Sequence, residues 1–401
     1  MNSLSLTMGT TFIYNARIVY PGQRISAGQL LLANGRITAI DPAAAVIPKE
    51  AARVDAGGKL LTPGLIDLHT HAMGRNRFES SPEQLLDGLA LLAQFGTTGP
   101  LPTLVRVMRR DALGLLEQLS KALDSAKGVA VLGWHCEGPF LKLPGAGADT
   151  ISGDVALLDD ILSAAGGRTV AMSISPDTPN IIPVIERLVE KSIVPFITHT
   201  RASTEETERA IAAGARHATH FYDVFPLPEV TEPGVRPCGA VEAMLADPRC
   251  TLDFVCDGVH CAPVAIRAAL AAKGFSGIIL ITDSNVGAGL PDGIYDMPQR
   301  DYQVKVTVNG PVRIHNPAHP LHGALAGSGL TMNIGIANLH QWLKLPSEQI
   351  WAMGTSNPAR LMGLKQKGVI AVGADADVVI WNDDFTPTRT WVAGELVFGA
   401  K

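Results

Sequence analysis

The run LLTPGLIDLHTHAMG, residues 60–74, ends an apolar stretch on two histidines one residue apart. An extended chain turns residues i and i+2 to one face, so His69 and His71 point the same way. Two neighbouring imidazoles are how a protein begins a metal site, although alone they also suit a solvated strand end. The rest of the chain supplies partners. Glu137 in HCEGPFL, His199 in ITHT, His220 in ATHFYDVF, His260 in DGVH and Asp283 in ITDS each stand at the end of an apolar, strand-like run. One buried histidine is most often a core residue. A whole set of N and O donors in equivalent positions reads as ligands for Zn²⁺ or a similar divalent ion, one or two per chain.

Such a set needs elements that bring strand ends together. Strand-like runs begin with GLIDLHTH, TTGPLPTL, VAVLGWHCEGPFL and TVAMSISP, and continue with IVPFITHT, HATHFYDVF, TLDFVCDGVH and GIILITDS. Helical patterns separate them over 82–95, 105–126, 155–165, 180–191, 204–213, 239–246 and 263–273, and more helix follows 328. Eight strands alternating with helices predict a parallel (β/α)₈ barrel of the α/β class, whose chemistry sits at the C-terminal strand ends. The rival is an open doubly wound sheet. It would carry a Gly-rich phosphate loop after its first strand, and none is present there.

Both ends of the chain are β-rich, with Asn34-Gly35 marking a hairpin. Neither end is large enough for its own core, so the two are expected to combine into one small β-sandwich. The predicted division is 1–62 and 366–401 for that domain and 63–365 for the barrel.

Composition narrows the function. A chain of 401 residues with 46% apolar residues and a net charge of −5 has ample core and no basic footprint for nucleic acid or an anionic membrane. Five cysteines without CxxC spacing, no apolar run long enough to span a bilayer and no leader pattern predict a cytoplasmic enzyme with a small-molecule substrate.

Other residues read as ordinary structure. His135 shares a face with Glu137 and is at most an outer partner of the ligands or a donor to the substrate. His217 lies three residues from His220 and should face the other way. HNPAHPLH, 315–322, sits in a Gly/Pro-rich loop, and Cys136 and Cys256 read as packing residues.

The motifs together resemble the amidohydrolase superfamily, and most closely the N-acetylglucosamine-6-phosphate deacetylase family. TPGLIDLHTH, HCEGPFL, ITHT, ATHFYDVF, EPG at 232–234, DGVH, ITDS, GALAGSGLTM, NPAR and GVIAVGADADVVIW carry the likeness, in order, over nearly the whole chain. The resemblance implies a barrel with a small β-sandwich from both termini, a homodimer, and hydrolysis of a linear amide. It implies that Glu137, His199 and His220 hold one metal, that His69, His71 and Asp283 join a second, and that Asp283 is the general acid/base. It implies that His260 meets the sugar or its phosphate, and that Asp223 and Val224 occupy the phosphate-binding position after the second metal histidine. Three residues depart from the pattern. Thr231 stands where an arginine is usual before EPG, Asp223-Val224 replaces Asn-Ala, and LKLPGAGADT lacks a histidine. The expectation is therefore an altered anion site, with Arg75, Arg77, Arg201 or Arg236 as replacement cations. A dipeptidase, a deaminase, another N-acyl amine or amino acid deacylase, or a non-catalytic binder on the same fold remain the other classes.

Overall fold

The computed structural model describes residues 9–145 and 147–400. Eight parallel strands form one sheet in sequential order: Leu65–Thr70, Thr97–Leu104, Trp134–Glu137, Thr169–Ile174, Val194–Ile197, His217–Ala218, Thr251–Val255 and Ile278–Ile281. The first and last meet, with a parallel bridge between Thr70 and Ser284 and the Asp283 N–H donating to His69 O at 2.8 Å. The sheet is thus a barrel, as the alternating pattern predicts.

The barrel strands are almost wholly buried, and side chains such as Leu68, Trp134, Phe196, Phe254 and Leu280 pack its core against the surrounding helices. Each fully buried large apolar side chain contributes about 1.5–3 kcal/mol. That rigid mass is what fixes the strand ends. Helix starts are set locally. Ser203 caps Thr204–Ala213 in a reciprocal capping box with Glu206, and Ser81 caps Pro82–Leu91. One predicted helix is shorter than its apolar pattern: residues 105–112 form a turn region, and the helix is Leu113–Ala122.

The chain ends do meet in one sheet. Its N-terminal strands Thr11–Tyr20, Arg24–Ala33, Arg36–Ile40, Ala52–Asp55 and Leu60–Pro63 join Val378–Trp381, Pro387–Val392 and Glu395–Phe398. The seam is the antiparallel pairing of Leu60–Pro63 with Val378–Trp381, pinned by the Trp381 indole donating to Thr62 Oγ1 at 2.8 Å. Asn34 and Gly35 both have positive φ, as a two-residue hairpin turn of this hand requires.

A separate four-stranded antiparallel sheet follows the last barrel strand: Gly293–Asp296, Gln303–Val306, Pro311–His315 and Leu325–Ser328. Part of this region reads in sequence as a loop. In fact HNPAHPLH begins on the end of a strand and continues through an exposed turn between two strands. Its Gly and Pro residues occupy the turns, and its strands alternate buried with exposed residues over only four or five positions.

Candidate metal centre at the barrel mouth

Glu137 ends the third barrel strand, and its carboxylate is shared. Oε1 lies 3.2 Å from His199 Nε2 and 3.1 Å from His220 Nε2. Oε2 lies 3.5 Å from His69 Nε2 and 3.3 Å from His71 Nε2. Asp283 Oδ1 adds contacts of 3.0 Å to His71 and 3.5 Å to His69. All six residues are buried. They form two donor groups around one bridging carboxylate, His69–His71–Glu137 and Glu137–His199–His220.

Backbone geometry aims three of these side chains. His199, His220 and Asp283 each lie two residues beyond a strand and have φ of 49°, 35° and 46°. A non-glycine residue in this region costs of order 1 kcal/mol or more and persists only where its surroundings impose it. The kink breaks the strand's alternation. This is why His217 does not face away as its spacing predicts. It lies inside the barrel, with its ring 4.4 Å from Phe196 and its nitrogens on Thr251 Oγ1 and Asp253 Oδ2 at 2.8 and 2.7 Å.

A second layer orients the donors. His220 Nδ1 faces the Asp223 carbonyl at 3.3 Å, an acceptor that calls for a proton on Nδ1 and leaves Nε2 as the nitrogen turned to Glu137. His69 Nδ1 meets Thr219 Oγ1 at 2.9 Å. Asp253 holds the His220 backbone N–H at 2.5 Å. Asp67 bonds Thr282 Oγ1 at 2.6 Å, and burial pushes its pKa up to about 7. Neither aspartate figures among the sequence candidates. Asp67 had a signal, because 67, 69 and 71 share one strand face.

The electrostatics favour positive charge at the centre. Burial opposes a charge on His71 and His220, yet facing carboxylates carry both pKa values up to about 10. Burial would likewise raise Asp283, but His69 and His71 hold it down to about 2. Glu137 is held well below its usual range against the same burial, chiefly by His69, His199 and His220. Imidazole nitrogens and carboxylate oxygens that converge, with a demand for positive charge between them, fit a divalent cation.

Around this centre opens a cavity lined also by His260, Asp223, Val224, Asn285, Arg77 and Arg300. His260 is held by Asp257 Oδ2 at 2.7 Å, which raises its pKa despite burial. The remaining candidates lie elsewhere. His135 is buried edge-on beneath His69 with its nitrogens on Thr103 and Ser173, so it has no free face for a substrate. Burial and the His69 charge keep its pKa well below the usual value. Arg201 is exposed and Arg236 pairs with Glu242 at 2.8 Å, and neither lines the cavity. Thr231 is exposed. Arg75 stacks over the Tyr295 ring, 4.9 Å from its centroid. Cys136 is packed inside, its thiol pushed by burial up to about 12.

The amidohydrolase family model matches residues 60–397. An N-acetylglucosamine-6-phosphate deacetylase of Vibrio furnissii is 32% identical, with 92% of this chain and 90% of that protein aligned. One of the same name from Bacillus subtilis (strain 168) is 29% identical over 97% of each chain. Among solved structures, a variant N-acetyl-D-glucosamine-6-phosphate deacetylase from Mycobacterium smegmatis, in complex with N-acetyl-D-glucosamine-6-phosphate, superposes with a TM-score of 0.83. Its identity is 27%, over 97% of this chain and 99% of that one.

Proposed function

This chain belongs to the amidohydrolase family and is a hydrolytic enzyme acting on an amide, and we propose that it removes the acetyl group from an N-acetyl amino-sugar phosphate such as N-acetylglucosamine 6-phosphate. The observation that carries the reading is the Glu137 carboxylate, with a histidine pair on each oxygen and Asp283 beside one of them. The names of the matched relatives supply the substrate class.

His69, His71, Glu137, His199, His220 and Asp283 would hold one or two divalent ions, Zn²⁺ by the N and O donor set. A bound ion would lower the pKa of water to about 7 and polarise the amide carbonyl. The protein's part in the reaction falls to a few groups. Asp283, ionised at neutral pH, takes the proton of the attacking water on its carboxylate and returns it to the amine nitrogen as the C–N bond breaks. His260, whose pKa Asp257 raises, donates to the substrate at the cavity wall. Buried walls exclude bulk water from the carboxylates. The products are acetate and a free amine. We place the enzyme in the cytoplasm as a homodimer by its family likeness; no helix among the described residues is long and apolar enough to cross a membrane.

The deciding experiment measures acetate release by Zn²⁺-loaded protein from N-acetylglucosamine 6-phosphate, with unphosphorylated N-acetyl sugars and N-acyl amino acids alongside. A kcat/KM above about 10⁴ M⁻¹s⁻¹ for the phosphate is expected. Turnover of N-acyl amino acids alone would replace the reading with another C–N hydrolase. The Asp223 carboxylate in the cavity lining is the observation that favours that alternative.

A further inference from the structure

Two arginines line the same cavity as the metal-facing residues, and they come from segments outside the barrel sheet. Arg77 lies on the short strand Asn76–Arg77 just after the histidine pair, and is 6% exposed. Its guanidinium bonds Glu79 through Nη2, while its buried Nε has no partner among the described residues. Glu79 is used up by this arrangement: its other oxygen accepts the backbone N–H groups of Val105 and Arg106 at 2.8 and 3.0 Å. Arg300 sits in the turn between Gly293–Asp296 and Gln303–Val306. Among the described residues its guanidinium has neither a hydrogen-bond nor an ion-pair partner.

The two segments are fastened together. Gln299 Nε2 donates to Ser80 O at 2.6 Å, and Arg75 stacks on Tyr295. Both arginines also line an adjoining hollow with Glu79, Arg106 and Gln299. Burial, and then the neighbouring charges of Arg77 and Arg106, hold the Arg300 pKa below its usual value. Positive charge here therefore exceeds the one carboxylate that answers it.

The loop over the cavity ties this wall to the metal centre. A Cβ built on Gly147 would fall 2.4 Å from Arg300 Nη2, and one on Gly145 would fall 2.4 Å from His199 Cε1. Those glycine Cα atoms are at most about 7 Å apart, two residues along the chain. The arginine thus lies against Gly147 and the metal-facing histidine against Gly145. One small molecule can therefore span from the histidines to the guanidinium.

We infer that Arg77 and Arg300 form the anion-recognition site of this enzyme, receiving the phosphate of the substrate while its N-acetyl group lies at the Glu137 centre. This rests on the amino-sugar phosphate reading above. Two guanidinium groups offer planar donor pairs that match phosphate oxygens, and only one carboxylate competes for them. Asp223 in the same lining repels an anion and places the phosphate on the arginine side.

The test is Arg300→Ala and Arg300→Lys in the metal-loaded, full-length enzyme. Arg300 is the choice because it is only partly buried, whereas Arg77 is buried on Glu79 and its loss could unfold the loop. For Arg300→Ala, the ratio of kcat/KM for N-acetylglucosamine 6-phosphate to that for N-acetylglucosamine should fall roughly 10–100-fold, the value of a charge-assisted hydrogen bond. The loss should appear in KM rather than kcat, with Arg300→Lys in between. Inorganic phosphate, used as a competitive inhibitor of whichever N-acyl compound is hydrolysed, should weaken by a similar factor. If the sugar phosphate is not hydrolysed but inhibition by phosphate, or KM for an N-acetyl amino acid, still depends on Arg300, the substrate reading falls and the anion site stands. If Arg300→Ala alters phosphorylated and neutral substrates alike, or leaves phosphate inhibition unaltered, the anion site is wrong.

Discussion

The two sides of the barrel mouth are held by different kinds of structure. Glu137 and the four metal-facing histidines stand at or just beyond strands whose other residues fill a buried core. Arg77 and Arg300 stand on a two-residue strand and a turn, fastened to each other by Gln299 and Arg75. The first side can change only by disturbing the barrel. The second can change by lengthening a loop, and the barrel would not register it. Chemistry is thus placed where geometry is costly to alter, and substrate choice where it is cheap.

The comparison is broken most directly at Glu137. Glu137→Ala removes the one group shared by both histidine pairs, so bound metal should be lost and kcat/KM should fall at least about 10³-fold. Elemental analysis and turnover of a protein with native-like circular dichroism check this. Full metal content would mean the histidines suffice without the bridge. Asp283→Asn is the sharper cut on the same side. The fold and at least one metal should remain while kcat falls roughly 10²–10⁴-fold, and a near-normal kcat would require another base.

The same division explains what the sequence makes legible. His69, His71, Glu137, His199, His220 and Asp283 can be found because each closes an apolar run, and a barrel gathers such ends by construction. His217 departs from its expected direction because strict alternation ends at Ala218, where the strand stops and His220 turns to positive φ. His135 sits on the predicted face, but a barrel has depth, and one face holds both a mouth and a floor. Arg300 has no signal at all. Its position depends on a small sheet whose four-residue strands are too short to show a period, and on a turn folding back onto Ser80. The arginines that do look promising by proximity in sequence, Arg201 and Arg236, are exposed at the surface.

On the loop side, Asp223→Asn should act in the opposite direction to the arginine variants. It adds a carboxylate to the cavity lining, so neutralising it should raise the preference for phosphorylated over neutral substrate, by roughly threefold to tenfold at low salt. The gain should shrink as ionic strength rises. A loss of phosphate preference would mean that Asp223 binds a sugar hydroxyl and is not merely repulsive.

The smallest effect belongs to His260, which joins the two sides. Burial alone would lower its pKa below 6.5, and the Asp257 carboxylate at 2.7 Å raises it instead, with smaller help from Asp283 and Asp223. A group raised in the folded state lends stability that is full below its unfolded pKa of about 6.5 and is lost as pH rises through its folded value. Wild-type protein should therefore lose a little stability between neutral and alkaline pH that Asp257→Asn does not lose, because the variant never has it. Urea melts at pH 5.5 and 8.5 compare the two, and an NMR titration of the His260 ring in metal-loaded protein gives the cause. The ring should titrate above 6.5 in the wild type and lower in Asp257→Asn. An unaltered ring pKa in the variant would transfer control of His260 to Asp283, and so from the loop to the metal centre.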